Sequence, residues 1–584
     1  MSSTRPLYQL NYHSLKISSG CLKLLVLGMA TIALGFQMGS GVPVPPQPGM
    51  GDPLLGLTPG EMILFDAGKI QFTRNFTAAE GLGPIFNKES CGNCHNNPVG
   101  GPGSQTVTRA GISGKAGFDP LAALGGSLFQ QQAISIDCAE VVPAAATVTA
   151  FRVTNSALGA GLVEAIPDPA ILALEDPTDT NGDGISGRAH MVNPVEAPMT
   201  TRVGRFGWKG GVATVLSFSA DAALNEVGIT NMFFPNDNDP NGVNPPDLAT
   251  CDTVADPEDQ MDGGGFFYIE RVTHFQRFLA APPQTPKSGM TGEAVFNSVG
   301  CNLCHVSSYT TSSDPLLETA LRNQPIQPYS DYLLHDMGLA ADFIQDGAAG
   351  ERELRTPSLW GLRTRDPLWH DGRFGGNTFA NRVNLAIQEH GLFLSEAVGV
   401  TTAYNALSAA DQNALIAFLD SLGRREFDGN GDDVIDLADF LDFNACFTGP
   451  IPTYTPDDPC SVHDIDQDGD VDLADFDSFL LAFSGPLLDC NGNTIPDLSE
   501  ILQGTVADVN ANGIPDVCEC FSDITPPGGN GVVNIDDLVA ILNGFGPCPA
   551  PPALCGEDIT PIGGNGVVNI DDLVAVLNAF GPCP

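Results

Sequence analysis

Apolar positions along this chain fall into distinct regimes. A continuous apolar run from Leu24 to Phe36 follows the basic residues Arg5, Lys16 and Lys23, and small residues (Gly39, Ser40, Gly41) and a proline-rich stretch from Pro43 to Pro48 come after it. A basic flank, a short apolar centre and a small-residue exit predict a signal peptide over 1–40, with an uncleaved anchor as the alternative. The run falls short of the ~20 apolar residues of a membrane span, and no later stretch approaches that length. Farther along, Asp411 to Leu422 alternates at helical spacing and predicts a helix that closes a domain. Beyond 425 the pattern changes to closely spaced Asp and Asn ahead of short amphipathic segments, as in Ile535, Leu538, Val539 and Leu542.

Cys-x-x-Cys-His occurs twice, at Cys91, Cys94 and His95 and at Cys301, Cys304 and His305. This is the attachment sequence of haem c: the thiols form thioethers with the haem vinyl groups and the histidine becomes the proximal iron ligand. Phe86-Asn87 and Phe296-Asn297 stand at the same offset before the two motifs, so the halves read as a duplication. The expected fold is mainly α, with two cytochrome c-like haem domains at 51–262 and 263–425. Calcium-binding EF-loop repeats at 426–519 and duplicated dockerin-like repeats at 520–584 are expected to follow.

Cysteine usage agrees with an extracytoplasmic location in the periplasm, at the cell surface or secreted. Of 15 cysteines, one lies in the leader (Cys21) and four in the haem motifs, leaving Cys138, Cys251 and eight from Cys446 onward. Cys490/Cys518, Cys520/Cys548 and Cys555/Cys583 share one spacing, with Cys446/Cys460 left as neighbours, which suggests repeated disulfide-closed units. Spacing alone leaves the connectivity open. Zinc is the lesser alternative because almost no histidine accompanies these cysteines.

The net charge is −45, and no Lys or Arg follows Arg425. Such a tail does not bind nucleic acid. Its carboxylates have a register that a merely solvated acidic segment would not need. A calcium loop places oxygen ligands at positions 1, 3, 5, 9 and 12 with a backbone carbonyl at 7. Asp464, Asp466, Asp468, Asp470, Asp472 and Asp475 fill that register, with Gly469 at the turn. So do Asp428, Asn430, Asp432, Asp436 and Asp439, then Asp489, Asn491, Asn493, Asp497 and Glu500, then Asp508, Asn510, Asn512, Asp516 and Glu519. A further candidate lies between the haem motifs, where Asp179, Asn181 and Asp183 give positions 1, 3 and 5 and Gly184 the turn. His190 stands at its twelfth position in place of a carboxylate, so a metal-free tight turn is the other reading.

After the calcium loops, Asp523–Leu538 is nearly repeated at Asp558–Leu573. These loop-helix units resemble dockerin type I modules over roughly the last quarter of the chain. An inserted Gly-Gly stretch departs from the calcium spacing. The resemblance implies calcium-dependent docking to a cohesin-like receptor; the alternative is a calcium-stiffened stalk.

Gly81–Asn87, Gly161–Asp168, Gly204–Lys209, Leu334–Gly338, Arg355–Leu362 and His370–Arg373 resemble, in order and from Leu57 to Arg425, the bacterial di-haem oxidoreductases. That family is related to di-haem cytochrome c peroxidases and often labelled thiol oxidoreductase. The resemblance implies a six-coordinate haem passing electrons to a substrate-accessible one. It also implies His390 as the sixth ligand opposite His305, with Met337 as the alternative, and a regulatory ion at the Asp179 loop. Glu164 as proton shuttle and Arg152 as charge support lie in the stretch corresponding to the distal pocket. Trp208 is the candidate electron relay, with Trp360 the other.

The expected activity is that of a peroxidase-like di-haem c oxidoreductase, with two covalent haem c and calcium. Its partners would be a small redox substrate, peroxide or thiol, and an electron-transfer protein. Thiol oxidation rests on the family label alone, since no Cys-x-x-Cys pair exists outside the haem motifs. Two other classes stay open: a di-haem electron carrier without a substrate pocket, and a surface-assembly protein whose docking tail is primary.

Overall fold

The computed structural model describes residues 43–115, 117–242, 248–526, 529–549, 555–562 and 564–583. The expected signal peptide, with Cys21, lies outside them. The described residues divide into two compact units, Gln47–Glu426, and Phe427 onward together with 43–46. Among the described residues no helix is long and apolar enough to cross a membrane.

In the first unit, helices α1 (Pro59–Phe72), α2 (Val215–Val227) and α3 (Tyr268–Phe278) share one core. Thr58 and Glu61 cap α1 reciprocally, with Pro59 in the first turn. Phe65 and Phe72 then pack against Phe275 at ring separations of 5.1 and 4.9 Å. The helices meet at Gly68, where a Cβ would run into the Arg271 carbonyl and Phe275. The same construction recurs with α4 (Thr291–Ser298), α5 (Phe379–His390) and α6 (Ala409–Ser421). Gly292 of α4 faces the Ala414 carbonyl and Phe418 of α6, again leaving no room for a side chain. The helix expected at Asp411–Leu422 is α6.

Two features depart from the sequence reading. The boundary drawn at 262/263 gives α3 to the second haem domain, yet its buried face (Ile269, Val272, Phe275, Phe278) belongs to the first core. It is the closing helix of the first repeat, as α6 is of the second. The unit also contains a four-stranded sheet absent from a mainly α expectation. Strand β1 (Thr106–Gly114) pairs with β2 (Gly117–Asp119), with β3 (Leu128–Phe129), and with β4 (Val148–Val153) from Thr106↔Val153 to Gly111↔Val148. Cys138 and Cys251 form a disulfide beyond this sheet.

The second unit opens with helices α7 (Leu437–Cys446) and α8 (Leu473–Ala482) over a core of Phe427, Phe440, Phe443, Phe476 and Phe479. Each helix begins inside an aspartate loop: Asp436 and Asp472 are N-caps, and Asp439 and Asp475 reach back to them as capping boxes. Cys446–Cys460 and Cys490–Cys518 are bonded.

The duplicated segment carries strands β5 (Val532–Val533), β6 (Gly546–Pro547), β7 (Val567–Val568) and β8 (Gly581–Pro582) and helices α9 (Ile535–Gly544) and α10 (Ile570–Asn578). Here the equal spacing misleads, because the bonded pairs are Cys520–Cys583 and Cys548–Cys555. The reason is strand exchange: β5 pairs with β8 and β6 with β7, so each copy completes the other. The apolar stripe is also split. Ile541 is buried, whereas Ile535, Val539 and Leu542 face solvent.

Candidate functional site

The four cysteines of the two Cys-x-x-Cys-His motifs are the only unpaired ones among the described residues. Each motif forms a single 3-10 turn, Cys91–Asn93 or Cys301–Leu303, capped by its second cysteine and followed by its histidine. Burial pushes the Cys91 thiol up to about 11 and the Cys301 thiol up to about 12, which keeps both protonated. Tyr268 of α3 places its hydroxyl 3.3 Å from Cys91 Sγ.

Both motif histidines are set in the same way. His95 Nδ1 lies 3.2 Å from the Gly101 carbonyl oxygen and His305 Nδ1 lies 2.9 Å from that of Tyr329. A carbonyl fixes Nδ1–H and leaves Nε2 for a metal. Burial pulls both imidazoles down to about 4, so they are neutral as ligation requires. An aromatic ring backs each: Phe72 at 5.9 Å from His95 and Phe296 at 6.4 Å from His305.

His305 opens onto a largely apolar cavity of about 200 Å³, lined by Cys301, Cys304, Leu359, Leu362, Val383, Ile387 and Leu415. His390, at the end of α5, lines the same cavity. Its Nδ1–H donates to the Ala386 carbonyl (2.7 Å), and burial holds it below the usual imidazole range. Met337 lines this cavity too, so both sixth-ligand candidates are brought to His305.

Arg355 and Arg365 also face this cavity, and burial lowers each to about 10. Arg355 donates to the Gly207 and Thr356 carbonyls. Among the described residues no carboxylate lies within ion-pair distance of either guanidinium. A buried and a half-buried cation without a carboxylate partner imply an anion from elsewhere. A haem fits these residues: thiols for attachment, Nε2 atoms for iron, apolar walls for the ring and two guanidiniums for its propionates. When bound it would supply one-electron chemistry.

A second, polar cavity of about 360 Å³ is lined by Arg109, Arg152, Lys209, Asp221, Asp346 and Trp208, among others. Trp208 lines both cavities, and its Nε1–H donates to the Val153 carbonyl (2.9 Å). Trp360 instead packs in an aliphatic core beside Gly159.

Arg152 is held by Asp342 (2.8 Å) and Asp346 (3.2 Å). Glu164 gives one oxygen to Arg277 and the other to the Val215 N–H at the start of α2. The two spend their polar atoms on separate partners. Sequence reasoning missed Arg109, whose Nε is buried without a partner, and Asp221, which burial raises above the usual carboxylate range. It also missed Glu226, raised to about 7 chiefly by burial and hydrogen-bonded to Asn87 (2.6 Å). No local motif marks these residues; the sheet and α2 bring them together.

In the tail, the four loops adopt the turns their spacing implies. The Gly431 and Asp432 N–H groups donate to Asp428, and those of Asp468 and Gly469 to Asp464. Burial, then neighbouring carboxylates, raise Asp470 to about 6, and its buried Oδ1 has no partner. Asp475 is raised to about 7, chiefly by burial. In the next two loops, Asn491 and Asn493 donate to Glu500, and Asn510 and Asn512 to Glu519. Asp489 and Asp508 anchor those turns, and Asp497 and Asp516 accept from Cys490 and Val509.

The Asp179 loop closes differently. Asp179 accepts from Gly184, Asn181 donates to Asp183, and Asp176, which the register overlooked, accepts from Thr180 and Asn181. His190 is turned away: its ring nitrogens face the Lys209 carbonyl and the Ala348 N–H.

Residues 144–422 match the family model described as "Di-haem oxidoreductase, putative peroxidase". This segment contains the second Cys-x-x-Cys-His motif, and the first precedes it. Together they support one class, a di-haem oxidoreductase. Among solved structures, a MauG-like protein associated with microbial copper homeostasis is similar at 14% identity and TM-score 0.30, covering 67% of this chain and 95% of its own. Kuenenia stuttgartiensis hydrazine synthase is similar at 14% and 0.28, covering 67% and 99%. A search of curated proteins finds no match.

Proposed function

We propose that this chain is an extracytoplasmic, peroxidase-like oxidoreductase carrying two covalent haem c groups on its first unit and calcium in its second. The observation that carries the reading is the pair of matched sites: free thiols, a neutral histidine with Nδ1 anchored on a carbonyl, and an aromatic ring behind it, twice over. The His305 cavity would hold the six-coordinate haem, with His390 or Met337 opposite. Electrons would pass by Trp208 toward the His95 haem, and the polar cavity that Trp208 also lines would supply the substrate pocket.

In that pocket Arg109 and Asp221 are available for charge support and proton transfer, whereas Glu164 and Arg152 are engaged in ion pairs and hold the walls in place. Peroxide is the favoured substrate, since the pocket offers a cation and a raised carboxyl group and no thiol pair. The test is absorption and EPR spectroscopy of the holoprotein, oxidised and half-reduced. A high-spin haem that responds to peroxide, with turnover cut about 100-fold in Asp221→Asn, is the expected result. Two low-spin haems indifferent to peroxide would leave electron transfer as the function.

The guanidiniums give a separate expectation. Arg365→Leu removes a positive charge beside the His305 haem and should lower its potential by about 60 mV, the one-electron equivalent of about 1.4 kcal/mol. Potentiometric titration of the variant measures this.

The tail reading gains from one surface. Ile535, Val539, Leu542 and Phe545 of the first copy and Ile570, Val574, Leu577 and Phe580 of the second are 45–59% exposed at corresponding positions. Two matched apolar ridges suit docking to a cohesin-like receptor better than a bare stalk.

A further inference from the structure

A residue absent from every motif stands against the candidate ligand. Trp369 packs edge to face on His390, with ring centroids 4.8 Å apart and planes at 84°. Its own ring is pinned at the far side, where Nε1–H donates to the Ala340 carbonyl (3.1 Å). Phe374 lies across it at 6.2 Å, and the Leu368–Phe374 bridge closes the turn that carries it.

The backbone at Trp369 has φ +80°, in the left-handed region that suits glycine and disfavours a bulky side chain. A large aromatic residue kept at such a position points to a use for its ring. Glycine would relieve the backbone and lose both the contact with His390 and the hydrogen bond to Ala340.

His390 itself is held at only one point within its helix. The Ala386 carbonyl restrains the ring at its Nδ1 edge. Trp369 supplies the second constraint, and both side chains line the His305 cavity. We propose that Trp369 is a positioning residue that locks the plane of the His390 imidazole, so that the ring presents Nε2 to the cavity in one orientation and resists displacement by exogenous ligands. The proposal rests on His390, rather than Met337, being the sixth ligand.

The holoprotein provides the test, in three variants. His390→Gly should convert one low-spin haem to high spin, with added imidazole restoring it. Trp369→Leu should keep the haem low-spin, broaden or split its EPR g-values, and speed cyanide binding at that haem about tenfold, the usual scale for an outer-shell partner of a metal ligand. Trp369→Phe, which keeps an aromatic edge, should return the g-values and the cyanide rate most of the way to those of the parent.

If His390→Gly behaves as stated but Trp369→Leu matches the parent in g-values and cyanide rate, the lock is wrong and the ligand reading stands. Equal effects of Leu and Phe would also overturn the lock, since they would report lost packing alone. An unchanged spectrum in His390→Gly overturns both, because there is then no ligand for Trp369 to hold.

Discussion

Replacing Cys301 and Cys304 together by alanine is expected to yield a protein with one covalently bound haem instead of two, and with the His95 haem spectrally intact. Cys301 opens a 3-10 turn that Cys304 caps, at the wall of the His305 cavity, and neither thiol is in a disulfide. The first site is built on a different core, from α1, α2 and α3, with Cys91 beside Tyr268. Attachment there would therefore not depend on the second. Haem staining after denaturation, together with the haem-to-protein ratio, measures the outcome: the ratio should fall by half. Retention of two covalent haems would mean that Cys301 and Cys304 do not attach one.

The variant also separates the possible functions. With the His305 haem absent, a peroxidase that draws electrons through it should lose about all steady-state turnover while its remaining iron still responds to peroxide. A carrier with no substrate pocket would show neither response.

What the sequence made legible was local conformation written in spacing. The Cys-x-x-Cys-His motifs and the aspartate register need only a few consecutive residues to be recognised, and the structure folds each into the turn that its spacing implies. The closing helix at Ala409–Ser421 was readable for the same reason, since its apolar period is local.

The features that escaped are set by distant pairing. α3 reads from its own sequence as the start of a second domain, yet Gly68, some 200 residues earlier, decides where it packs. Equal cysteine spacing suggested closure within each copy, but the exchange of β5–β8 and β6–β7 decides the bonds instead. Arg109 and Asp221 carry no motif because they meet only after β1 and α2 have packed. Trp369 escaped because its distinguishing mark is a backbone angle rather than a residue pattern.

Removing calcium should destabilise the second unit, and the loss should grow with pH. Burial and neighbouring carboxylates raise Asp470 to about 6, and burial above all raises Asp475 to about 7, both above the ordinary value near 4. A raised carboxyl group favours the protonated folded state. Its stabilising contribution is complete below about pH 4 and is lost as pH climbs to about 7. The metal-free second unit should therefore melt at progressively lower temperature between pH 4 and pH 7.5, where the loop carboxylates ionise against one another. Bound calcium would replace those protons with a cation and reverse the trend. At a concentration 100 times its dissociation constant, each filled loop adds about 2.7 kcal/mol, which for a unit of this size raises the melting temperature by about 5–10 °C. Scanning calorimetry of the full chain, with chelator and with calcium at both pH values, would show this in the second unit's transition. Asp475→Asn should lose most of the response of its own loop, because the residue stands at the twelfth position of that loop, where a calcium site takes its final oxygen ligand. Superimposable traces with chelator and with calcium at pH 7.5 would exclude calcium as what these loops hold.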